Sequence, residues 1–268
     1  MIKSKKNSHL QLIRSLLQDR KSRDETGQFV IEGVRLVEDA ANNKASISEV
    51  YFSQSLSERG RIQLNKFVNN GILIEEVEDS IFSNLMDTST SQGIAAICKK
   101  TEPDLPENLN FAIIADQLRD PGNLGTILRT AAAAGAQAVI TTPGSVDLYS
   151  PKVLRSAMGA HFHIACAEMV WEQLEAIKQK QTGSQLSAYV AAIGGQKIFW
   201  QCDFTRPTLL IIGNEAEGAT EKAFEYSDHR ISIPMPGEFE SLNAAVAAGV
   251  LIFEVVRQRN KQQTVKDT

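Results

Sequence analysis

The sequence predicts an α/β protein of two domains, and three features of the chain support that prediction. Short β-rich apolar runs alternate with stretches of helical periodicity along most of the sequence, a pattern typical of βαβ units with a mostly parallel sheet. The segment KKTEPDLPENLN at residues 99–110 has two prolines, mixed charge and no apolar periodicity, which indicates a linker. The apolar runs after it are longer, as in strands covered on both faces.

In the first half, the alternation predicts four strands and three helices. Strands are expected at residues 29–31, 50–52, 72–77 and 93–98, and helices at 34–41, 57–68 and 81–86. The Asn-Gly pair at 70–71 is a signal for the end of the second helix. We therefore expect a first domain over residues 1–98, followed by the linker at 99–110.

In the second half, the same reasoning predicts a domain over residues 111–260 and a polar tail at 261–268. Strands are expected at 111–115, 138–141, 188–193, 209–212 and 231–233, and helices at 124–134, 151–158, 171–180, 220–226 and from 242 to about 258. In the last helix, apolar residues lie three or four apart, which predicts one buried stripe. Its members are Leu242, Val246, Val250, Phe253 and Val256.

Composition narrows the functional classes. The chain has 268 residues, of which 43% are hydrophobic and 22% charged, an ordinary balance for a soluble protein. No apolar run reaches the length of a membrane span, and the N-terminus lacks the apolar core of a secretory signal. The three cysteines are far apart and show no C-x-x-C spacing, and the four histidines form no metal set with them. His161 and His163 alternate on an expected strand. We therefore expect a cytoplasmic protein with no membrane partner and no metal.

The charge is distributed unevenly. The net charge is −4 at pH 7, yet residues 1–35 carry +4, so the remainder carries −8. A basic arm on an acidic body suits contact with phosphates. A solvated N-terminal helix explains the same charges, and on charge alone that interpretation is favoured.

Three polar segments follow predicted strands. The first is DQLRDPGNLGTILRTA at residues 116–131, where a strand ends in a Pro-Gly turn and a helix begins near Asn123. Ligands collect at the carboxyl ends of strands, and a helix N-terminus there offers N–H groups to a phosphate. Asn123 can also simply cap the helix. Arg129 can bind a phosphate bidentately or pair with a surface carboxylate.

The second and third segments are GNEAEG at 213–218 and ISIPMPGEFESLNAA at 231–245. Gly213 and Gly218 allow close approach of a ligand to the backbone. No G-x-G-x-x-G fingerprint occurs, so a nicotinamide-dinucleotide site is disfavoured. Glu215 can hold a neighbouring loop, contact a ligand or face a helix dipole. Ser241 can cap the last helix, and Asn243 in its first turn offers two donors and one acceptor.

Together, in this order and spacing, the three segments resemble the signature motifs of the SpoU/TrmH family of RNA ribose 2′-O-methyltransferases, a branch of the SPOUT superfamily. The stretches GQFVIEGVRLV at 27–37 and LMDTSTSQGIAA at 85–96 resemble the RNA substrate-binding domain of that family. The resemblance covers nearly the whole chain. One departure is Ala244-Ala245, where the family often has Val-Ser, which removes a hydroxyl.

The resemblance implies a fold that sequence patterns do not predict. It implies an N-terminal module like ribosomal protein L30e and a C-terminal α/β domain with a deep trefoil knot, although chain connections almost never thread. It also implies a homodimer packed around the knot helices. S-adenosylmethionine would bind in the knot loops, at Gly213, Asn214, Gly218, Ile233, Met235 and Leu242.

The same resemblance assigns catalytic roles to Asn123, Arg129, Glu215, Ser241 and Asn243. RNA contacts are expected at Lys5, Lys6, Arg23, Arg35 and Arg155. The implied reaction is methylation of a ribose 2′-hydroxyl in structured RNA, with ribosomal RNA favoured over transfer RNA. Because a guanidinium pKa lies above about 12, we expect Arg129 to clamp the adjacent phosphate and stabilise the developing alkoxide rather than act as a base.

Three alternatives remain open at this stage. The chain could be a non-catalytic RNA-binding or ribosome-assembly protein of the same fold, which its full set of polar motif residues argues against. It could methylate a base nitrogen, or it could be a nucleotide-dependent oxidoreductase. Cofactor binding and nucleoside analysis distinguish these classes.

Overall fold

A computed structural model describes residues 1–69, 71–86, 91–182, 185–237 and 239–266. Contacts divide the chain into two compact units, Met1–Glu102 with Tyr149–Leu154, and Pro103–Leu148 with Arg155–Thr268. The predicted helix end at Asn70, the motif residues 87–90 and Glu238 lie outside the described residues. No described helix has the length and apolarity that crossing a membrane requires.

The first unit is a four-stranded sheet with helices. Its elements are α1 (Ser8–Gln18), α2 (Arg20–Thr26), β1 (Gln28–Glu32), α3 (Val34–Asn42), β2 (Ile47–Phe52), α4 (Glu58–Asn69), β3 (Leu73–Glu76), α5 (Asp79–Leu85) and β4 (Ile94–Lys99). The strand order is β1-β4-β2-β3. The β2–β3 pairing is the parallel one of this sheet's three strand pairings, because α4 carries the chain back across the sheet between these two strands. β4 is antiparallel to β1 and β2, so the predicted mostly parallel sheet is wrong for this unit.

The N-terminal segment folds onto that sheet. Asn7 caps α1 by accepting from the backbone N–H groups of His9 and Leu10. The apolar face of α1 then packs against side chains of β1, β2 and β4 through Leu10, Ile13 and Leu16. Each such buried side chain contributes about 1.5–3 kcal/mol. The basic arm predicted from charge is therefore partly structural.

The second unit is a fully parallel seven-stranded sheet. Its strands are β5 (Phe111–Ala115), β6 (Ala138–Thr141), β7 (Ala165–Glu168), β8 (Ser187–Ala191), β9 (Lys197–Ile198), β10 (Thr208–Ile212) and β11 (His229–Ser232). The order is β7-β6-β5-β10-β8-β11-β9, and every pairing is parallel. Two late strands therefore lie between earlier ones: β10 between β5 and β8, and β11 between β8 and β9. The predicted α/β class with a parallel sheet is confirmed for this unit.

Helices cover both faces of this sheet. They are α6 (Pro121–Ala133), α8 (Trp171–Lys180), α9 (Glu221–Tyr226) and α10 (Ala244–Lys266), whereas α7 (Pro151–Ala157) is divided between the two units after Leu154. α8 and α9 bury Leu174, Ala223 and Tyr226 against alternate strand residues such as Ile114 and Ile211. α6 packs against β5, β6 and α10. His161 lies in a 3₁₀ turn and His163 directly follows it, so the strand expected there is absent from this described segment.

The buried face of α10 differs from the predicted one. Val246, Val250 and Phe253 are exposed by 53%, 38% and 51%. The residues buried against the unit are instead Ala245, Ala248, Leu251, Ile252 and Val255. Residues 244–256 of α10 are apolar at every position except Glu254, so spacing alone could not identify the inner face. Small alanines on that face permit close packing against α6.

Candidate active site

The three polar segments lie beyond the carboxyl ends of strands in the second unit. Asp116 directly follows β5 and Gly213 directly follows β10, and these neighbouring strands are parallel. Their carboxyl ends therefore share one edge of the sheet, where ligands bind in open α/β folds. The third segment follows β11 and leads into α10.

Glu215, Asn123 and Asn243 form one hydrogen-bonded set, here called the polar network. Asn123 Nδ2 donates to Glu215 Oε1 at 2.9 Å. Asn243 Nδ2 donates to Asn123 Oδ1 at 2.9 Å. Asn243 Oδ1 accepts from the backbone N–H groups of Ala245 and Val246 at 2.9 and 3.2 Å. The structure thus joins one predicted residue from each of the three segments.

The helix caps differ from the expected ones. α6 begins at Pro121, and Asp120 caps it by accepting from the Asn123 backbone N–H at 2.7 Å. Proline at the first helical position favours this earlier start, because its missing N–H would have no partner there. Asn243, rather than Ser241, caps α10. Both predicted capping side chains are therefore released from that role, and Ser241 is exposed.

Glu215 holds the loop that follows β5. Its Oε2 accepts from the Arg119 backbone N–H at 3.4 Å, and Oε1 accepts from the Asp120 N–H at 3.2 Å. Burial raises the pKa of Glu215, but the hydrogen bonds from Asn123, Arg119 and Asp120 outweigh it and keep the pKa below its ordinary value. The carboxylate is thus ionised at neutral pH and acts as an acceptor.

Arg129 is the exposed cation of this site. It lies six residues after Asn123 on α6, about 9 Å further along the helix axis. No hydrogen-bond or ion-pair partner for its side chain occurs among the described residues. The guanidinium is therefore available to an anionic ligand, rather than paired with a surface carboxylate of the described chain.

Gly213, Gly218 and Asn214 stabilise the loop after β10 through contacts inside the loop and with the segment after β5. A Cβ on Gly213 would lie 2.2 Å from the Ala219 backbone nitrogen, so the loop itself requires glycine. Gly218 has φ of +73°, and its N–H donates to the Asn214 carbonyl at 3.0 Å. The Asn214 side chain is buried, donates to the Gln117 carbonyl at 2.8 Å and accepts from Ala216 N–H at 2.8 Å. These contacts hold the loop in shape, and the cofactor contacts predicted for Gly213, Asn214 and Gly218 stay a prediction.

The chemistry of the remaining side chains fits S-adenosylmethionine. Ile233 and Met235 are half-buried and Leu242 is 40% exposed, so apolar surface is available for an adenine ring. The ionised Glu215 supplies negative charge that favours a cationic sulfonium. Among the described residues, no group of three or more His, Cys, Asp or Glu could hold a metal ion.

The predicted RNA-contacting residues differ in accessibility. Lys5, Lys6 and Arg35 are exposed. Arg155 is half-buried and already has an interaction inside the protein. Arg23 is only 4% exposed, and its guanidinium donates to the Leu16 carbonyl at 2.6 Å. Its predicted role as an RNA contact is therefore corrected to a structural one, since a buried donor cannot reach a phosphate.

Sequence reasoning missed a buried cluster beneath the loop. Asp116 is fully buried and accepts from Thr142 Oγ1 at 2.8 Å and from the Thr220 backbone N–H at 2.7 Å. Gln117 has φ of +50°, rare for a residue other than glycine, and its N–H donates to Thr142 Oγ1 at 3.0 Å. The available signal was a carboxylate placed directly after five buried strand residues.

Comparison with known proteins agrees with this architecture. Residues 110–253 match the SpoU rRNA Methylase family and residues 7–96 match the MRM3-like substrate binding domain. The 23S rRNA (guanosine(2553)-2′-O)-methyltransferase RlmP of Bacillus subtilis (strain 168) is 33% identical over 239 residues, 89% of this chain and 92% of RlmP.

Two solved structures are similar over almost their full length. The SpoU methyltransferase AviRb from Streptomyces viridochromogenes, in complex with the cofactor AdoMet, has a TM-score of 0.85 at 29% identity, covering 95% of this chain and 100% of AviRb. The AdoMet-bound rRNA methyltransferase from Sinorhizobium meliloti also has a TM-score of 0.85 at 29% identity, covering 96% and 97%. The chain therefore belongs to the SpoU rRNA methylase family.

Proposed function

We propose that this protein transfers a methyl group from S-adenosylmethionine to a ribose 2′-hydroxyl in ribosomal RNA. The observation that carries the proposal is the polar network, which joins the three polar segments at one edge of the sheet. Asn123 of this network lies on α6, the same helix as Arg129, whose side chain has no partner among the described residues. The similarity to RlmP, whose name specifies a guanosine of 23S rRNA, supports ribosomal RNA as the substrate class.

Ile233, Met235 and Leu242 would hold the cofactor through their partly exposed apolar side chains. When bound, S-adenosylmethionine supplies an electrophilic methyl group. Gly213, Asn214 and Gly218 shape the loop that presents Glu215, and they would also border the cofactor, largely through backbone groups. Glu215 and Asn243 then fix Asn123 from both sides, and such alignment can lower a barrier by about 7–11 kcal/mol in favourable cases.

Arg129 and Ser241 are the side chains that we assign to the RNA. Arg129 clamps the phosphate next to the reacting ribose and stabilises charge that develops on the 2′-oxygen. The exposed Ser241 hydroxyl can donate to or accept from the same nucleotide. An arginine in this role needs no deprotonated form, which suits a strongly basic guanidinium.

At the level of domains, we assign residues 1–98 to an L30e-like RNA-binding module, 99–110 to the linker and 111–260 to the methyltransferase domain, with a tail at 261–268. We also infer a deep trefoil knot in the second domain. The positions of β10 and β11 between strands that precede them support this topology. Lys5, Lys6 and Arg35 are the exposed cations that we assign to RNA contact, and we place the protein in the cytoplasm.

The exposed side of α10 supports a homodimer. Leu242 just before α10, and Val246, Val250 and Phe253 within it, form an apolar stripe that the described part of the chain leaves exposed. A second copy of the same helix offers an apolar surface of the same character, and a two-fold axis brings identical patches together. We therefore propose a dimer formed through this stripe.

Methyl transfer tests the proposal directly. Tritiated S-adenosylmethionine is incubated with separated ribosomal and transfer RNA from a strain that lacks the gene, using wild type and Arg129→Ala. We expect label in ribosomal RNA, recovered as a 2′-O-methyl nucleoside and lost in the variant. Label in transfer RNA alone would move the substrate class, and label on a base would overturn ribose methylation. Failure to bind the cofactor at all would exclude an enzyme of this kind.

The role of Arg129 is tested by a pH–rate profile of Arg129→Lys against wild type. A clamp predicts a lower rate with the same pH dependence, because lysine keeps the charge but loses the bidentate geometry. If the lysine variant kept the rate and showed a new, lower apparent pKa, arginine would be acting as a base.

A further inference from the structure

The loop that carries Glu215 is anchored at both ends from below. At its start, Asn214 Nδ2 donates to the Gln117 carbonyl at 2.8 Å. At its end, the Thr220 backbone N–H donates to Asp116 Oδ2 at 2.7 Å. Both anchors lie in the two residues that directly follow β5, so the loop after β10 is tied to the neighbouring strand at two points.

Thr142 stabilises both of these anchors. Its hydroxyl donates to Asp116 Oδ1 at 2.8 Å and accepts from the Gln117 N–H at 3.0 Å. Asp116 is 0% exposed and Thr142 is 1% exposed. In such a dry environment, unpaired polar groups are costly, so these partners hold one another in a single arrangement. Gln117 is held at a positive φ by the same bonds.

We propose that Asp116 and Thr142 are positioning residues for methyl transfer, which hold the 213–220 loop where Glu215 can accept the hydrogen bond from Asn123. The inference rests on the proposed function. Neither side chain is accessible to a substrate, so each acts only through the loop. Their effect passes from Thr142 to Asp116 and Gln117, then to Thr220 and Asn214, and finally to the polar network.

The adjacent residue provides a matched control. Thr141 is also a fully buried threonine, at the end of β6, but its hydroxyl donates to the Ala167 carbonyl of β7 at 3.4 Å. Among the described residues, the Thr141 hydroxyl makes no hydrogen bond with the 213–220 loop. Thr141→Val therefore removes a buried hydroxyl from the same sheet without touching the anchors of Glu215, and it separates loss of packing from loss of position.

The experiment compares Thr142→Val, Thr142→Ser and Thr141→Val, each alone and with Glu215→Ala. Methyl-transfer rate, cofactor affinity and hydrogen–deuterium exchange of the 213–220 amides are measured on the full chain. We expect Thr142→Val to lower kcat by about tenfold and to speed exchange in the loop, whereas Thr142→Ser stays within about threefold of wild type. Thr141→Val should leave both readouts near wild type.

The double variants show whether Thr142→Val lowers the rate by displacing Glu215 or by destabilising the whole domain. If Thr142 acts through Glu215, Thr142→Val should add less than about twofold in the Glu215→Ala background. Additive losses, or an equal loss in Thr141→Val, would overturn the proposal. Should Thr142→Val fail to fold, Asn214→Asp tests the other anchor by the same cycle, since it keeps the acceptor but loses the donor to Gln117. If wild type transfers no methyl, the proposed function fails first; transfer without coupling refutes only the positioning role.

Discussion

Replacing Asn123 by aspartate is the sharpest perturbation of the polar network. Asn123→Asp keeps the shape of the side chain and keeps an oxygen for the amide of Asn243. It changes only the group that faces Glu215, where a donor at 2.9 Å becomes a second carboxylate oxygen. The variant therefore isolates one contact while the remaining geometry can stay in place.

The cost follows from two contributions. A lost hydrogen bond costs about 0.5–1.5 kcal/mol. Two like charges near a protein surface repel by up to about 4 kcal/mol at 4 Å, but Glu215 is exposed and water screens most of this, leaving about 1 kcal/mol. We expect a loss of about 2 kcal/mol at neutral pH, which corresponds to a fall in Tm of roughly 4–8 °C for a unit of this size.

The destabilisation caused by Asn123→Asp should become smaller as the pH is lowered. In wild type the pKa of Glu215 lies below its ordinary value, so its contribution to stability is present above the unfolded pKa and is lost as pH falls through the folded pKa. In Asn123→Asp the paired carboxylates raise the pKa of one member above its unfolded value. The destabilisation is then full at neutral pH and shrinks as the pair takes up a proton.

Urea unfolding at about pH 8 and about pH 5 measures this difference, with Asn123→Ala as control. The alanine variant loses both amide contacts but gains no charge, so we expect its deficit to be nearly constant over that range. A deficit of Asn123→Asp that does not shrink on acidification, or that is absent at about pH 8, would refute the reasoning about Glu215.

Three further substitutions test other parts of the structure. Gly213→Ala should cost about 1–3 kcal/mol in thermal unfolding, because its Cβ would meet the Ala219 backbone at 2.2 Å, whereas Gly237→Ala has nothing within 4 Å and should be neutral. Arg23→Met should lower the free energy of unfolding in urea by about 1–3 kcal/mol and leave the salt dependence of RNA binding unchanged, because Arg23 is buried. Lys5→Met should leave the free energy of unfolding unchanged and weaken the salt dependence of RNA binding. Phe253→Glu should shift the protein towards monomer in sedimentation velocity with unchanged circular dichroism, because it charges the exposed stripe. An unaltered oligomeric state would remove α10 from the dimer interface.

In the second unit, sequence periodicity identified the central strands and the helices well but missed the strands at the edges of the sheet. β5, β6 and α8 lie where the pattern predicts them, because each is an apolar or amphipathic run with a clear boundary. β7 and β9 were missed, since short edge strands such as Ala165–Glu168 carry little apolar signal. In the first unit, the four strands and the three helices α3, α4 and α5 lie near their predicted positions, whereas α2 was not predicted. The sequence pattern does not contain strand direction, which depends on where each connection returns the chain.

The candidate site shows the same division. Local patterns singled out Asn123, Glu215 and Asn243, and the structure brings them into contact. Their chemical roles stay predictions. The sequence does not show that Arg23 and Asp116 are buried. Arg23 donates to the carbonyl of Leu16 in the preceding helix, and Asp116 accepts from a hydroxyl 26 residues away. A polar residue looks the same in sequence whether it faces water or a buried donor.

The strand order also has a consequence for biosynthesis. β10 lies between β5 and β8 and pairs with both, so each of these two strands presents an open edge until residues 208–212 have left the ribosome. Ile212 follows its partner Ala115 by 97 residues (212 − 115), which at about 5–20 residues per second means a delay of roughly 5–19 s. During that interval the nascent sheet consists of two halves with unprotected apolar edges, a state prone to wrong pairing. Faster translation over this interval, or a chaperone that covers these edges, should therefore raise the yield of folded protein more than it does for proteins whose sheets grow outward in order.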